Sequence, residues 1–172
     1  MKKSLLLLGG ALVLFSNSAF GWGKMGHDAI AYIAECNLTP KAKKTIEKIL
    51  GHSIVYYATW MDEWRAEPGY EHTSAWHTAS VDKNLVYAPR PKGDVIFALE
   101  DANAKLQDYK QQDDSTVVMS LRCIIHFVGD MHCPVHVKYA NQKSYNVYLN
   151  GDKCSYHNVW DDQIISRSHR WG

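Results

Sequence analysis

Two His-x-x-x-Asp spacings set the strongest constraint on how this chain of 172 residues folds. His126 and Asp130 are four residues apart, as are His157 and Asp161, so on a helix both side chains of each pair project from one face. His136 lies between the two pairs. Imidazole and carboxylate groups are ligands that Zn²⁺ accepts. The pattern therefore favours a metal site over the alternative, in which each pair is a surface polar pair or a capped core histidine.

Apolar residues at helical spacing predict an all-α chain. Thr39 and Pro40 form a helix start and Gly51 its end, while Asp94 caps a later helix. We expect Ser115 to cap a helix that runs to about residue 131 and turns its apolar face to the core. Further helices are expected over residues 27–34 and 53–65 and from about residue 156 onwards.

Two segments lack helical spacing. Residues 70–92 are expected to be extended or irregular. Residues 134–155 are polar and aromatic, and we interpret them as irregular with a small hairpin around Asn150-Gly151. Because no repeat or convincing domain boundary occurs, we expect one domain over residues 22–172.

The first residues have the pattern of a secretory signal peptide. Lys2 and Lys3 precede an apolar stretch over residues 5–15, and Ala19-Phe20-Gly21 is a small-x-small cleavage site. The apolar stretch is too short to span a bilayer as a helix. We therefore expect residues 1–21 to be removed. The mature chain would begin at Trp22, be secreted or periplasmic, and have no membrane anchor.

Composition bears on binding partners and on redox state. Lys and Arg number 19 against 18 Asp and Glu, which excludes the strongly basic face of most sequence-reading nucleic-acid binders. An exported chain with four cysteines is expected to form one or two disulfides, with buried free thiols as the alternative. No Cys-x-x-Cys pair occurs, which argues against a thiolate zinc site.

Five segments resemble the S1/P1 nuclease family. Residues 126–136 read HFVGDMHCPVH and resemble its H-F-x-G-D-x-H-x-P-x-H segment, and residues 157–161 read HNVWD and resemble its H-x-x-W-D. The letters WGKMGH at residues 22–27 are similar to the family's mature N-terminus, W-G-x-x-G-H. WMDEWR at residues 60–65 resembles W-x-D-x-x-R, and WH at residues 76–77 follows it as in the family. The segments keep the family's order and cover nearly the whole mature chain.

The resemblance implies a mostly helical phospholipase C/P1 nuclease-like domain with three zinc ions at the bottom of a cleft. It also implies catalytic roles for Asp62, which would orient the attacking group, and Arg65, which would bind a phosphate oxygen. The alternative for Arg65 is a surface arginine paired with Asp62 or Glu63. The implied ligands are Asp62, His77, His126 and Asp130 for one zinc, the amino group and carbonyl of Trp22 with His27 and Asp130 for a second, and His136, His157 and Asp161 for the third.

The implied function is a secreted, zinc-dependent endonuclease. It would hydrolyse phosphodiester bonds of single-stranded DNA and RNA by metal-activated hydroxide, with 3′-nucleotidase activity as a further expectation, and act as a monomer. The chain ends eleven residues after Asp161, where family members continue with further helices, so we expect a fragment or a shortened form. Two alternatives are a zinc-dependent phospholipase C and a degenerate, non-catalytic zinc-binding protein.

Two positions and one loop depart from the family's pattern. Thr78 stands where the family has a base-stacking aromatic residue, and Ser80 stands where it has an acidic one. Residues 143–146 lack the glycines of the family's D-x-G-G-N loop. Tyr145 and Tyr148 are candidates for a replacement stacking platform, with a packing role as the alternative.

Overall fold

The structure is a computed structural model that describes residues 23–168. Helices make up most of its regular structure, which confirms the prediction of a mostly helical domain. Within this range no helix has the length and apolar character needed to cross a membrane. The predicted leader over residues 1–21, Trp22 and residues 169–172 lie outside the described residues.

The helices follow one another along the chain with short 3₁₀ turns between them. The α-helices are α1 (Lys24–Asn37), α2 (Pro40–Leu50), α3 (Trp60–Trp64), α4 (Val95–Gln107), α5 (Asp114–Met131), α6 (Tyr156–Asn158) and α7 (Ile164–Ser168). A π-helical turn, Val159–Gln163, joins α6 to α7. The 3₁₀ turns are Ile54–Tyr57, Glu71–Ala75, Tyr109–Gln111 and Pro134–His136.

Local signals place the starts of α2 and α4 as predicted. The Thr39 side chain accepts the backbone N–H of Ala42, and Gly51 ends α2 with a left-handed φ of 78°. Asp94 is fully buried, and its carboxylate accepts the first free N–H groups of α4, those of Ile96 and Phe97. Both helices therefore begin where a side chain close in sequence accepts their first free backbone N–H groups.

The predicted start of α5 is wrong by two residues. Asp113, not Ser115, caps the helix, because the Asp113 carboxylate accepts the backbone N–H of Thr116 at 2.9 Å. The hydroxyl of Ser115 donates to the same carboxylate, so Ser115 supports the cap and does not form it. These bonds hold the pKa of Asp113 well below its usual range.

The helix predicted over residues 53–65 is divided in two. In a continuous helix the carbonyl of Ala58 would accept the N–H of Asp62, but that N–H bonds to the carbonyl of Thr59 at 3.1 Å. The Ala58 carbonyl instead contacts His126 Nδ1 at 2.8 Å. A tertiary hydrogen bond therefore replaces a helical one, and α3 begins only at Trp60.

Helix α5 lies at the centre of the core and contacts α1, α2, α3 and α4. Its Phe127 is fully buried among side chains that include Met61 of α3 and Val95 of α4. Burying an apolar side chain of this size contributes about 1.5–3 kcal/mol. The polar residues His126 and Asp130 of the same helix are also fully buried, so the core and the candidate site share one element.

The structure also contains two small sheets; the sequence predicted the hairpin around Asn150-Gly151 but not the parallel pair of strands. The strands β1 (Ala79–Val81) and β2 (Val137–Tyr139) are parallel, while β3 (Asn146–Leu149) and β4 (Asp152–Ser155) form an antiparallel hairpin. Asn150 and Gly151, at the tip of the hairpin, have φ values of 54° and 90°. Positive φ at both central residues is typical of a tight hairpin turn, and this part of the prediction is confirmed.

All four cysteines lie among the described residues, and all are free thiols. The disulfides expected for an exported chain are therefore not formed in this structure. Cys123 and Cys133 are buried, as in the alternative of buried free thiols, whereas Cys36 is exposed. Burial raises the pKa of the Cys123 thiol to about 12.

Replacing Asp94 with alanine tests the cap of α4. The substitution removes the acceptor for two helix N–H groups and for the hydroxyl of Tyr87, which lies 2.9 Å away. We expect the free energy of unfolding in urea to fall by about 2–3 kcal/mol, because a cap and a partly buried hydrogen bond to a carboxylate are lost together. The matched control is Asp101→Ala on the same helix. It removes an exposed ion pair with Lys105, and its free energy of unfolding should fall by less than about 1 kcal/mol. Equal losses in the two variants would contradict the assigned cap.

Candidate metal centre

Eight of the residues predicted to bind metal converge from distant parts of the chain. Seven of them are buried, and the eighth, His157, keeps 24% of its side chain exposed at the edge of the group. The eight are His27 of α1, Asp62 of α3, His77 before β1, His126 and Asp130 of α5, His136 before β2, His157 of α6 and Asp161 of the π-helical turn.

The parallel pairing of β1 and β2 brings two of these histidines to the same edge of a sheet. Ala79 pairs with Val137, so the residues before the two strands emerge side by side. His77 lies two residues before Ala79, and His136 lies directly before Val137. A parallel pair of three-residue strands is a weak element by itself. Here it aligns two side chains that are 59 residues apart in sequence.

The carboxylate of Asp130 lies at the centre of the group and contacts four imidazoles. One oxygen, Oδ1, lies 3.4 Å from His27 Nε2 and 3.2 Å from His136 Nδ1. The other, Oδ2, lies 2.9 Å from His77 Nδ1 and 3.3 Å from His126 Nε2. Each oxygen therefore faces a different pair of histidines, which is compatible with a carboxylate shared between metal ions.

Asp161 organises a second part of the same group. Its Oδ1 lies 3.4 Å from His136 Nε2 and 2.8 Å from Cys133 Sγ, and its Oδ2 lies 2.7 Å from His157 Nε2. His136 thus contacts Asp130 with one ring nitrogen and Asp161 with the other. The two parts form one continuous chain of imidazoles and carboxylates.

Burial and close charges act in opposite directions on these groups. Burial acts to raise the pKa of Asp130, but the imidazoles of His126, His136 and His27 close to its carboxylate hold it well below its usual range. Burial acts to lower the pKa of His136, but the carboxylates of Asp130 and Asp161 raise it to about 9. For His77 burial prevails and the pKa falls below its ordinary value. Close imidazoles therefore favour the ionised form of Asp130 and of Asp161, although both carboxylates are out of water.

Many donor atoms in the group have no hydrogen-bond partner within the described residues. Both ring nitrogens of His27 and of His136, Nε2 of His77, and one carboxylate oxygen each of Asp62, Asp130 and Asp161 are buried and make no hydrogen bond of ordinary geometry, although some of them lie close to an opposite group. An unpaired buried polar atom costs about 1–3 kcal/mol, so natural structures rarely leave so many together. Nitrogen and carboxylate donors in this number fit divalent metal ions such as Zn²⁺.

Three sets of donor atoms, two of which share His126, are each compact enough to hold an ion, with their atoms within 4.8 Å of one another. They are His27, His126 and Asp130; Asp62, His77 and His126; and Cys133, His136 and Asp161.

One hydrogen bond determines which ring nitrogen of His126 is free to bind a metal ion. Its Nδ1 lies 2.8 Å from the carbonyl of Ala58, and a carbonyl can only accept, so Nδ1 carries the proton. In the neutral ring Nε2 is then unprotonated and faces Asp130, His77 and Asp62. Metal-binding histidines are held by this kind of bond, which fixes both the tautomer and the ring orientation.

A cleft of about 540 Å³ opens beside the cluster, with His77, His136 and His157 in its wall. None of the described residues that line this cleft is acidic. Its remaining charged residues are Arg65, Arg90, Lys138 and Lys143. The charge of the cleft wall therefore suits an anionic ligand, although the chain as a whole is nearly neutral.

Two arginines of the cleft wall are held in place by contacts with other residues of the chain. The Arg65 guanidinium lies 3.4 Å from Asp62 Oδ1, so it both lines the cleft and contacts a predicted ligand. Arg90 donates to the backbone carbonyls of Ala75 and Thr78, which flank His77. Arg90 was not singled out by the sequence, because its role depends on carbonyls that only the fold brings close.

Of the two candidate stacking tyrosines, only Tyr145 lines the cleft. Its ring stacks on that of Tyr156 with centroids 4.7 Å apart and the planes 18° apart. Tyr148 is 76% exposed, on the hairpin. Thr78 also lines the cleft, and Ser80 is buried in β1 opposite Lys138.

The structure brings together every predicted ligand that it describes, and their role as ligands stays a prediction. Trp22 lies outside the described residues, but the next residue, Gly23, donates its N–H to the carbonyl of Asp161 at 2.5 Å. The sequence analysis missed Cys133 as a member of the group. The spacing of Cys133 and His136, three residues apart, was the signal that could have found it.

Comparison with known proteins agrees with the motifs. The sequence profile of the S1/P1 nucleases matches residues 22–171. The chain belongs to the S1/P1 nuclease family. The nucleases of this family are hydrolases that act on phosphodiester bonds.

Several S1/P1 nucleases are similar to this chain. Nuclease S1 of Aspergillus oryzae is 24% identical over 93% of this chain and 60% of its own length. Endonuclease 2 of Arabidopsis thaliana is 28% identical over 84% of this chain and 56% of its own. Nuclease P1 of Penicillium citrinum is 27% identical over 81% and 57%. The chain therefore spans less than two thirds of the length of these relatives.

The glycine of the H-F-x-G-D motif can be tested through the space it leaves. A Cβ at Gly129 of α5 would lie 2.5 Å from His27 Nδ1, in the ring that stacks on His126 with centroids 4.4 Å apart. Gly129→Ala should therefore displace His27 and lower the zinc content measured by mass spectrometry. Alanine otherwise favours a helix by about 1 kcal/mol over glycine, so a lower melting temperature would also reveal the clash. Val128→Ala, at the half-exposed neighbour, is the control and should keep its zinc; unchanged zinc in both variants would contradict the close approach.

Proposed function

We propose that the mature chain is a secreted, zinc-dependent endonuclease that hydrolyses phosphodiester bonds of single-stranded DNA and RNA, with 3′-nucleotidase activity at the same site. The observation that carries the proposal is the buried His/Asp cluster beside a cleft whose wall is cationic. Phosphodiesters are anionic, and their oxygens accept charge-assisted hydrogen bonds from arginine and lysine. Membership of the S1/P1 nuclease family supports the same chemistry.

We assign three zinc ions to the cluster. When bound, zinc would supply Lewis acidity and lower the pKa of a coordinated water. The contacts of Asp130 with four imidazoles support its place between two ions. The proposed ligands are Asp62, His77, His126 and Asp130 for the first ion, Trp22, His27 and Asp130 for the second, and His136, His157 and Asp161 for the third.

Asp62 and Arg65 are the proposed catalytic residues. The Asp62 carboxylate would accept a hydrogen bond from the attacking water and orient it towards phosphorus. Arg65 would donate to a non-bridging phosphate oxygen, where negative charge grows in the transition state. The 3.4 Å contact between Arg65 Nη1 and Asp62 Oδ1 supports this pairing, because it directs the guanidinium to the same place as the nucleophile.

Tyr145 is the proposed base-stacking residue. Tyr145 lines the cleft and is 48% exposed, and the ring of Tyr156 stacks on one face of its ring. A ring held in this way offers one free face to any base, so stacking would be tolerant of sequence. The bases of a single strand can leave their neighbours at little cost, which favours single-stranded substrates. Tyr145 would thus take over the stacking role that Thr78 cannot perform.

We further propose that removal of residues 1–21 completes the second zinc site. A free amine at Trp22 would bind zinc, whereas an amide nitrogen at the same place is a very poor ligand. The hydrogen bond from Gly23 to the carbonyl of Asp161 supports this, since it ties the start of the described chain to the metal centre. The protein would act as a monomer in the secreted or periplasmic space.

Asp130→Ala tests the metal centre together with the reaction. Because one carboxylate would serve two ions, we expect zinc content to fall and hydrolysis of denatured DNA and of RNA to drop by at least about 10²–10³-fold. The control is Asp28→Ala on α1, where an exposed pair with Lys24 is lost and activity should be kept.

Testing several substrates in the same assay distinguishes the proposed nuclease from a phospholipase and from a non-catalytic protein. Hydrolysis of phosphatidylcholine in preference to nucleic acid would point to a phospholipase. Full zinc content without hydrolysis of any substrate would point to a non-catalytic protein. Asp130→Ala with normal zinc and a normal rate would contradict the bridging role.

The N-terminus is tested by adding a single residue. A chain that begins at Trp22 is compared with one that carries an additional glycine before it. The free amine has an ordinary pKa of about 8, and zinc binding favours its neutral form. We expect the extended chain to bind less zinc and to lose most phosphodiesterase activity, while its far-ultraviolet circular dichroism stays the same. Equal zinc content and equal rates in the two chains would refute the amine ligand.

A further inference from the structure

We infer that Cys133 is a thiolate ligand of the third metal ion and completes a four-coordinate site with His136, His157 and Asp161. The inference rests on the proposed metal centre but adds a ligand that the family pattern leaves as an unspecified residue. It also revises the expectation that a chain without a Cys-x-x-Cys pair has no thiolate site.

The turn Pro134–His136 explains why the thiol reaches the site. Cys133 precedes this 3₁₀ turn, and its carbonyl accepts the N–H of His136 at 3.0 Å. In a 3₁₀ turn, side chains three residues apart lie on the same side. Pro134 favours the start of such a turn, because its φ is already restricted. The local sequence Cys-Pro-x-His therefore directs a sulfur and an imidazole to one point.

Cys133 lies directly in the group. Its side chain is completely buried, and Sγ lies 2.8 Å from Asp161 Oδ1. One donor atom each from Cys133, His136 and Asp161 lies within 4.8 Å of the others. Both ring nitrogens of His136, which is 1% exposed, have no hydrogen-bond partner among the described residues. A thiol and an unpaired imidazole that share a carboxylate form a ready set of metal donors.

His157 supplies the fourth donor from the other side of the carboxylate. Its Nε2 lies 2.7 Å from Asp161 Oδ2, and its ring stacks on that of His136 with centroids 5.1 Å apart. One sulfur, two nitrogens and one oxygen make a complete tetrahedral set for Zn²⁺. Sites closed by four protein ligands are characteristically structural. The third ion would therefore hold α6 and the π-helical turn against the end of α5.

The binding step is a simple exchange of a proton for a metal. The S–H group that now donates to Asp161 would release its proton to solvent, and the sulfur lone pair would bind the ion. No electron transfer or other reactant is needed. A thiolate also makes this site softer than the other two, so it should favour the soft ion Cd²⁺, and Co²⁺ that replaces zinc there should also form a sulfur-to-metal bond.

The test uses the mature chain loaded with Co²⁺ or Cd²⁺ in place of zinc. A thiolate bound to either metal produces a charge-transfer absorption that nitrogen and oxygen ligands do not. We expect this band in the native chain, its loss in Cys133→Ser and Cys133→Ala, and its retention in the matched control Cys154→Ser, whose thiol donates to the backbone carbonyl of Asp152. Circular dichroism of the metal-free variants checks that each one folds.

Zinc affinity provides the second measurement. In competition with a chelator, both Cys133 variants should hold one zinc at least about tenfold more weakly. Even the loss of a residue that only supports a ligand lowers metal affinity by about 10–100-fold. The other ions should be unaffected. Metal binding without a sulfur band in the native chain would refute the thiolate and leave the proposed nuclease intact. A chain that binds none of these metals would refute both proposals, and a native chain that shows the band but hydrolyses no nucleic acid would refute only the nuclease.

Discussion

A single buried carboxylate determines much of the rest of the structure. Asp130 is completely buried in α5, and taking a carboxylate out of water costs several kcal/mol unless close partners compensate. The compensating groups are His27, His77, His126 and His136, which come from α1, the segment before β1, α5 itself and the turn before β2. Supplying them requires these elements to pack around one turn of a helix. The path of the chain and the composition of the site therefore follow from the same requirement.

Several irregular features of the fold then have a reason. The break before α3 occurs because the Ala58 carbonyl contacts His126 and is not used in a helix. Gly129 stands in the last turn of α5, although glycine is unfavourable in a helix, because a side chain there would clash with the ring of His27. In both places local helical stability is reduced so that an imidazole can occupy a defined position. Such losses of local stability are expected at functional sites.

The sequence predicts what is encoded within one or two helical turns. The capping of α2 by Thr39 and of α4 by Asp94, and the tight turn at Asn150-Gly151, depend on neighbours in sequence, so they could be predicted. The start of α5 was misplaced because Asp113 and Ser115 are both capping residues, and the carboxylate accepts more bonds than a hydroxyl.

Features that depend on distant partners could not be predicted in this way. The parallel pairing of β1 with β2 involves strands of three residues, too short to have a periodic signal. The place of Cys133 beside Asp161 depends on a contact across 28 residues. For the predicted ligands, the spacing within each His-x-x-x-Asp pair indicated a shared helix face. Only the resemblance to a family indicated that segments from both ends of the chain meet.

The near-neutral composition of the chain and an anionic substrate are compatible because the charges are segregated. Asp62, Asp130 and Asp161 lie buried behind imidazoles, whereas Arg65 and Lys143 lie on the cleft wall with other cations. Charges on exposed surfaces are screened over about 8 Å at physiological salt, so a bound phosphodiester would respond mainly to groups in the cleft. Divalent ions at the cluster would more than balance the three aspartates and add to the positive field there. A net charge of +1 therefore excludes a broad basic surface but not a site that binds one phosphate at a time.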